Sequence, residues 1–396
     1  MTTRQYDVIV VGGGFTGCAA ALAASRNGMK VLLADSSGYL GGAASNNLIY
    51  PFMQYFTSVT DNDGTRSKFY LSRGIFLELV HELKENDSDK SDQHFLDEEL
   101  KLLLDKKMTD EGVDVLFHAT LCGVNKRENH IESVSFVTKS GVMEFSAKTF
   151  IDCTGDADLC FMSGCKTALG RPADSLCQPM TLCFSIGGVD PAKFDENQGR
   201  IVPLWQEEKK KGTIRNPMDG IMVFHSTFPG IVNLNATRIV KRNPVDAYDV
   251  TAADIEAREQ MVELHEFLKN RVPGFENSMI LSSAVQTGVR ESRMIDGEHL
   301  LTAEELVACT VFEDAIACGN YDIDIHNPEG SGTSHYFFPA GQYYTIPYRS
   351  LIPKNAENLL VAGRCISATH EAQASIRIMC IVCTLGEAAG TAVSVA

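Results

Sequence analysis

Tyr6-Asp7-Val8-Ile9-Val10-Val11-Gly12-Gly13-Gly14-Phe15-Thr16-Gly17 decides the fold, together with the stretch that follows it to Gly42. Val8 to Val11 is a short apolar β-branched run of the kind a buried parallel strand shows. Gly12 to Gly17 follows at once and fits G-x-G-x-x-G. Ala19 to Ala24 is then almost all alanine, a helix former that lets helix and sheet approach closely. Asn27-Gly28 stops that helix, Lys30 to Ala34 reads as a second strand, and Asp35 ends it. Each part has a task in holding a dinucleotide. Gly12 permits the tight turn, Gly14 lets the backbone approach a pyrophosphate, and Gly17 allows close helix–strand packing. The helix N-terminus offers N–H groups to that pyrophosphate, and Asp35 stands where a ribose hydroxyl is bound.

Gly41-Gly42, so soon after the second strand, is not required for NAD. It suits a chain folding back past the phosphates and ribityl of FAD. Two later stretches repeat the pattern of a strand delivering glycine to a cofactor: Thr149 to Asp158, ending in Thr154-Gly155-Asp156, and Leu359 to Gly363. The expected fold is therefore α/β: a Rossmann-like, three-layer FAD-binding domain, discontinuous over 1–163 and 344–396. An α+β substrate or cap domain over 164–343 is inserted in it. Alternating segments at Met180 to Ile186, Ile221 to Ser226 and Val232 to Ala236, with a long helix from Ala252 to Asn270, belong to that insertion. No second G-x-G-x-x-G opens a helix, so no separate NAD(P)H domain is expected.

Elsewhere the pattern is plainer. Residues 50–72 are aromatic and turn-broken and read as a surface excursion; Ile75 to Leu83 and Phe95 to Leu104 read as helices around a polar loop from Glu85 to Gln93. Val113 to Thr120 reads as a strand, Ile131 to Val137 and Val142 to Ala147 as an antiparallel pair, and Glu371 to Ala396 as one packed helix. A helix with no stop signal suggests a chain cut near a domain edge. The net charge of −16 argues against a nucleic-acid surface, and Lys209-Lys210-Lys211 reads as a solvated helix end. No run of about 18 apolar residues occurs, so no membrane span is expected. A strand beginning near Met1 leaves no room for a leader, and the expected location is cytoplasmic. The twelve cysteines then read as reduced core thiols, including the pairs Cys160/Cys165 and Cys380/Cys383, and no metal site is expected.

Gly288-Val-Arg-Glu-Ser-Arg293, Asp324-Ile-His326, Ile346-Pro-Tyr-Arg349 and Leu360-Val-Ala-Gly-Arg-Cys-Ile-Ser-Ala-Thr-His370 add a resemblance. With the amino-terminal motif, the chain resembles the bacterial FAD-dependent oxidoreductase family within the glutathione-reductase-like FAD superfamily. That family is related to fumarate reductase-type and thiazole-synthase-type flavoproteins. The resemblance implies non-covalent FAD placed by Gly12, Gly14, Gly17, Asp35, Gly42, Gly155 and Gly363. Phe15, Thr16, Ser36, Gly41, Ala43, Thr120, Thr154, Asp156, Arg364, Ser375 and Ile376 complete the expected contacts. Arg364 departs from the aspartate that many superfamily members place at the ribityl chain, and Asp156 is the expected substitute.

The chemistry expected is hydride transfer between flavin N5 and a small organic substrate, with an unknown electron donor or acceptor and a homo-oligomer as a possible assembly. Arg290, Arg293 and Arg349 are candidates for holding a carboxylate or polarising a carbonyl, because guanidinium binds such groups bidentately. His335 and His370 are candidate general acids or bases. An ion-pair knot competes as the reading of Arg290 to Arg293, and a core histidine as the reading of His118. Three other functions remain open: a partner-binding fold relative such as the Rab GDP-dissociation inhibitors, a flavin-dependent RNA-modifying enzyme, and thiazole-synthase-like sulfur transfer.

Overall fold

The computed structural model describes residues 4–60, 63–85 and 93–395. Strand β1 (Arg4–Val11) leads into helix α1 (Phe15–Arg26) and β2 (Val31–Ala34). The hairpin β3 (Phe56–Thr60) and β4 (Arg66–Tyr70) precedes α2 (Ile75–Glu85) and α3 (Asp97–Asp110). Then come β5 (Asp114–Leu116), β6 (Thr120–Arg127), β7 (His130–Thr138) and β8 (Gly141–Asp152), followed by the short α4 (Asp158–Met162) and β9 (Thr167–Leu169). The middle of the chain holds β10 (Phe184–Gly187), α5 (Pro191–Asn197), α6 (Ile201–Lys211), β11 (Val223–His225), β12 (Ile231–Leu234), α7 (Ala247–Arg271) and β13 (Met279–Ser283). After β14 (Arg293–Ile295) and α8 (Ala303–Val307) come β15 (Ala315–Gly319), β16 (Ile323–His326), β17 (Thr333–Tyr336), β18 (Tyr344–Pro347) and β19 (Leu359–Val361). Helices α9 (His370–Ile376) and α10 (Met379–Val395) close the described chain.

β5, β2, β1, β8 and β19 run parallel in that order, with Val8 beside Val31, Val11 beside Asp152 and Leu360 beside Ile151. The amino-terminal half of β8 also pairs antiparallel with β7, which pairs with β6. β8 is thus one long strand where two had been expected, because its first half lies in the meander and its second half in the parallel sheet. Val8 to Val11 of β1 and all of β2 are apolar and buried because both faces of the sheet are covered there. One face carries α1 and α10. Here small residues allow the backbones to touch: a Cβ on Gly386 would run into the carbonyl oxygen of Thr16, and one on Gly390 into that of Ala20.

A second sheet, β11-β12-β10-β13, is antiparallel. It packs with α5, α6 and α7 around Trp205, Phe184, Phe194, Leu264 and Phe275, a core separate from that of the parallel sheet. Residues Leu301, Ala317, Ile323, Tyr344 and Leu351 pack instead into the first core. Tyr50, Phe52 and Tyr55 are buried in that same core, Phe52 stacked on Phe95 at 4.3 Å, so 50–55 is not a surface excursion. The turn at Asp61-Asn62 and most of the polar loop after Glu85 lie outside the described residues. The single helix expected from Glu371 onward is two helices, α9 and α10, meeting at 93°. Among the described residues, no single helix is long and apolar enough to cross a membrane.

Candidate functional site

The turn between β1 and α1 is shaped by contact with the strands beside it. Gly12 has φ +102°, and a Cβ there would strike the carbonyl of Cys153 at the end of β8. Gly41 donates its N–H to the carbonyl of Gly13 at 2.9 Å, so the second glycine pair lies against the first. A Cβ on Gly42 would come 2.7 Å from the Cα of Gly14. Phe15, Thr16 and Gly17 open α1, all buried, with no side-chain cap and no acidic residue in the first turn. A helix end buried without a cap leaves N–H donors in need of an acceptor, and an anionic pyrophosphate meets both that need and the helix dipole. The residues present therefore fit a dinucleotide.

Asp35 closes the loop from the other side. Its carboxylate accepts the Gly13 N–H at 2.5 Å and the Ser37 N–H at 2.7 Å. Ser36 and Ala43 are exposed on either side of it, and Thr120 is exposed at the start of β6. The imidazole of His118 lies against Gly38, whose Cβ would meet it at 2.8 Å. Under β8 the fully buried Asp152 accepts from Thr154 N–H at 3.0 Å, Thr154 O–H at 2.7 Å and Cys160 N–H at 2.9 Å. Burial pushes its pKa up to about 6 against those hydrogen bonds. Asp152 thereby fixes the Thr154-Gly155-Asp156 turn.

Asp156 and Arg364 form an ion pair at 2.6 Å, and Ser292 donates to the same carboxylate at 2.6 Å. The arginine noted as a departure thus faces the acid expected to substitute for it. Arg293 bonds Asp158 at 2.8 Å and the carbonyl of Asp156 at 3.1 Å, with its guanidinium over the Phe161 ring. That is the ion-pair knot. Arg293 ties the 287–293 segment to the β8 turn through Nη1. The segment itself is extended, bridged to Thr181 through Gly288.

Beside this knot lies a buried polar cluster drawn from five parts of the chain. Asp324 on β16 accepts from Tyr321 at 3.2 Å, His326 at 3.2 Å and Arg377 at 3.4 Å. Burial alone would raise its pKa, but His326, Arg377 and Arg290 hold it well below the usual carboxylate range. Burial, with Arg290 nearby, presses His326 down to about 3, so its imidazole is neutral at pH 7. Arg290 donates to the Pro179 carbonyl at 2.7 Å, and burial together with Arg377 lowers it to about 10. Gln178 and Gln373 bond one another at 3.1 Å and link the His326 N–H to the Arg290 carbonyl. Gln178 N–H also reaches Glu291, which holds His370 Nδ1 at 2.7 Å in a fully enclosed pair.

Of the expected catalytic groups, the fold thus brings together Arg290 and His370. Arg349 is not brought there. Residues 348–351 form a 3-10 turn, and Arg349 pairs on the surface with Asp314 at 3.0 Å. His335 is also an exposed group, 2.5 Å from Asp322 and stacked on Phe337. Asp322, Asp324 and His335 have ligand atoms within 4.8 Å of one another, the donor types of a cation site. Arg377 on the same Asp324 works against a further positive charge there. Ser375 and Ile376 are fully buried, and Ser375 bonds the Tyr321 carbonyl and the Tyr344 hydroxyl rather than facing open space. Glu291, Asp324 and His326 stood in the sequence only as parts of the resembling stretches, with no role given them, and Arg377, Gln178 and Gln373 were not singled out. Arg377 carried a signal: it is a lone charge inside the apolar run Ile376-Arg377-Ile378-Met379.

All twelve cysteines are unpaired in disulfides, and nine are buried, Cys160, Cys165, Cys380 and Cys383 among them. Lys209 to Lys211 end α6, with Gly212 as the left-handed cap.

Comparison with known proteins gives short sequence matches, broad structural alignments at low identity, and a family match over nearly the whole chain. The aerobic glycerol-3-phosphate dehydrogenases of Bacillus subtilis (strain 168) and Staphylococcus haemolyticus (strain JCSC1435) are each 37% identical over 57 residues, 14% of this chain and 10% of theirs. The chain therefore matches only about a tenth of the length of those relatives. A geranylgeranyl bacteriochlorophyll reductase-like protein from Thermoplasma acidophilum aligns over 99% of this chain and 78% of its own, at 14% identity and a TM-score of 0.49. The p-nitrophenol 4-monooxygenase PnpA of Pseudomonas putida DLL-E4 aligns over 76% of this chain and 70% of its own, at 12% identity and a TM-score of 0.42. The sequence profile of the FAD dependent oxidoreductase family matches residues 7–396, and the chain belongs to that family, with FAD as its cofactor.

Proposed function

We propose that the chain transfers a hydride between N5 of bound FAD and a small organic substrate. When bound, the flavin supplies the two-electron chemistry. Gly12, Gly14, Phe15, Thr16 and Gly17 hold the pyrophosphate, Asp35 and Ser36 the adenosine ribose, and Gly41, Gly42 and Ala43 the returning chain. Thr120 stands at the adenine side. Thr154, Gly155, Asp156, Gly363 and Arg364 hold the ribityl and phosphate part, the Asp156–Arg364 pair presenting both signs of charge there.

The observation that carries this reading is the position of the Arg290–Asp324–His326–Arg377 cluster. It lies where the loop after the second glycine pair meets the inserted part: Val285 N–H bonds the Asn46 carbonyl at 3.0 Å, and Asn47 Nδ2 bonds the Gln286 carbonyl at 3.1 Å. A neutral His326 donating to Asp324 keeps that carboxylate ionised and fixed. Arg290 is held by the Pro179 carbonyl, with guanidinium donors left to orient a substrate. Glu291 accepts from His370 Nδ1–H, which leaves Nε2 as the acceptor nitrogen of the ring, available to take a proton from a substrate. Enclosure excludes water from these groups and strengthens each charge interaction.

The absorbance spectrum of the purified protein, followed by anaerobic photoreduction, tests the proposal. A flavin band that bleaches and returns with an added acceptor is the expected result, and the acceptor that restores it sorts oxidase from dehydrogenase or reductase. A bound flavin that no organic substrate or acceptor can reduce or reoxidise would sink it.

A further inference from the structure

Three guanidinium groups gather around one carboxylate of the same cluster, and only Arg377 hydrogen-bonds it, at 3.4 Å. Arg290 and Arg377 both act on Asp324, and Asp324 in turn acts on Arg238. Arg377 and Arg238 both disfavour the charge on Arg290. Asp324 takes its three hydrogen bonds on Oδ2, and its buried Oδ1 has no hydrogen-bond partner among the described residues and lies 3.7 Å from His335 Nδ1. Glu291, the other buried acid here, is spent on His370 and the Gln178 N–H. Asp219 acts on Arg238 from the far side, and Asp322 is taken by His335. His326 adds no charge at neutral pH.

The donors are also in surplus. A guanidinium has five N–H groups. Arg290 gives one to Pro179 at 2.7 Å and another, weakly, to Asn235 at 3.4 Å. Arg377 reaches Asp324 only at 3.4 Å, and its buried Nε has no protein acceptor. Arg238 is buried, spends its terminal nitrogens on the carbonyls of Asn327 and Gly332 and on the Met218 sulfur, and leaves its Nε without an acceptor. Buried donors without an acceptor, and buried guanidinium charges without a close carboxylate, are both unfavourable. A ligand carrying a flat anionic group relieves both.

We propose that Arg290, Arg377 and Arg238 bind the carboxylate of an organic acid, which makes the substrate class carboxylic acids rather than amines, sugars or neutral molecules. The inference rests on the reading that FAD works beside this cluster. A carboxylate next to the reacting carbon gives the protein a handle for orienting the C–H bond, and the planar fork of arginine matches it.

The test uses the FAD-loaded full chain, titrated with malonate and succinate, with succinamide as the uncharged isostere and inorganic phosphate as the competing anion. Flavin difference spectra and melting temperature are both read. The expected result is a saturable response to at least one acid, none to succinamide, and about tenfold or more weaker binding in Arg377→Gln at unchanged flavin content. Should Arg377→Gln fail to fold, Arg290→Lys, which keeps the charge and loses the fork, is expected to weaken binding in the same way. Binding unaltered in the folded variant, succinamide binding as well as the acids, or flavin-loaded protein silent to every acid would overturn the proposal. Phosphate binding as tightly as the acids would overturn its carboxylate class. Failure to hold FAD would count against the functional reading alone, because the melting-temperature response of the flavin-free chain still reports acid binding.

Discussion

His326 is a buried imidazole flanked by arginines, and that setting makes stability depend on pH in a definite direction. Burial and Arg290 lower its folded pKa to about 3, whereas an unfolded histidine titrates near 6.5. The unfolded chain therefore binds the proton first. The stability that His326 contributes is fully present above about pH 6.5 and is lost as pH falls from there toward 3. The loss runs at about 1.4 kcal/mol per pH unit for one proton. Asp324, also depressed, adds to the loss only below about pH 4. Denaturant unfolding of wild type and His326→Gln at pH 7.0, 6.0 and 5.0 is expected to show a steeper decline in wild type; parallel declines would refute the assignment. At this scale the sequence was only partly legible. Arg290 and His370 were visible as charged residues in unusual company, but their partners lie far along the chain. Glu291 faces His370 because the segment before β14 is bonded to α9 through Gln373 and the Arg290 carbonyl, and Arg377 reaches Asp324 from the end of α9. Such pairings arise from tertiary contact, which local composition does not encode. Arg349 shows the reverse: its place in a recognisable motif suggested a site, and Asp314 holds it at the surface.

The crossing of α1 and α10 sets the position of the uncapped α1 N-terminus, so elements and cofactor turn are mechanically joined. Gly386 and Gly390 bring α10 onto the backbone of α1 at Thr16 and Ala20. A methyl group at Gly386 has no room unless one helix moves. Overpacking of this kind costs about 1–3 kcal/mol. Gly386→Ala is expected to lose that much stability and to lower bound flavin per chain, because Thr16 lies in the first turn of α1. Gly199→Ala is the control: nothing lies within 4 Å of a Cβ there, and its effect is expected within about 0.5 kcal/mol. Equal effects of the two substitutions, by denaturation and flavin absorbance, would break the link between packing and cofactor turn. Alanine and glycine in α1 and α10 made both helices readable as closely packed. The 93° break between α9 and α10 was not readable, since apolar residues run through it on both sides. Only the draw of Arg377 toward Asp324 marks where the first helix ends.

At the scale of the whole molecule, the chain carries two cores with different relations to the cofactor. The glycine turns at 12–17, 41–42, 155 and 363 all lie with the parallel sheet and its helices, whereas Trp205, Phe194, Leu264 and Phe275 form an apolar core of their own among α5, α6, α7 and the antiparallel sheet. The alternation and the long helix between residues 180 and 270 already pointed to such an insertion. Its return path was less legible, because residues 301–351 look like more of the same β-rich segment yet pack into the first core. A ligand that binds only the folded state stabilises it by mass action, about 2.7 kcal/mol at a hundred times its Kd. Local opening is suppressed most in the units that touch the ligand. Hydrogen–deuterium exchange with and without FAD should therefore separate the two cores. Protection is expected to rise at 12–17, 35–49, 152–158 and 361–380, while α6 and the Trp205 side of α7 exchange at the same rate in both states. The 286–293 segment, tied to Asn46, Asn47 and Asp156, is expected to follow the cofactor although it lies within the inserted 164–343 stretch, just after the core around Trp205. A uniform rise across α6 and α7 would mean that the insertion and the flavin domain open as one unit, and substrate closure would then have to involve the entire chain rather than the junction at Arg290.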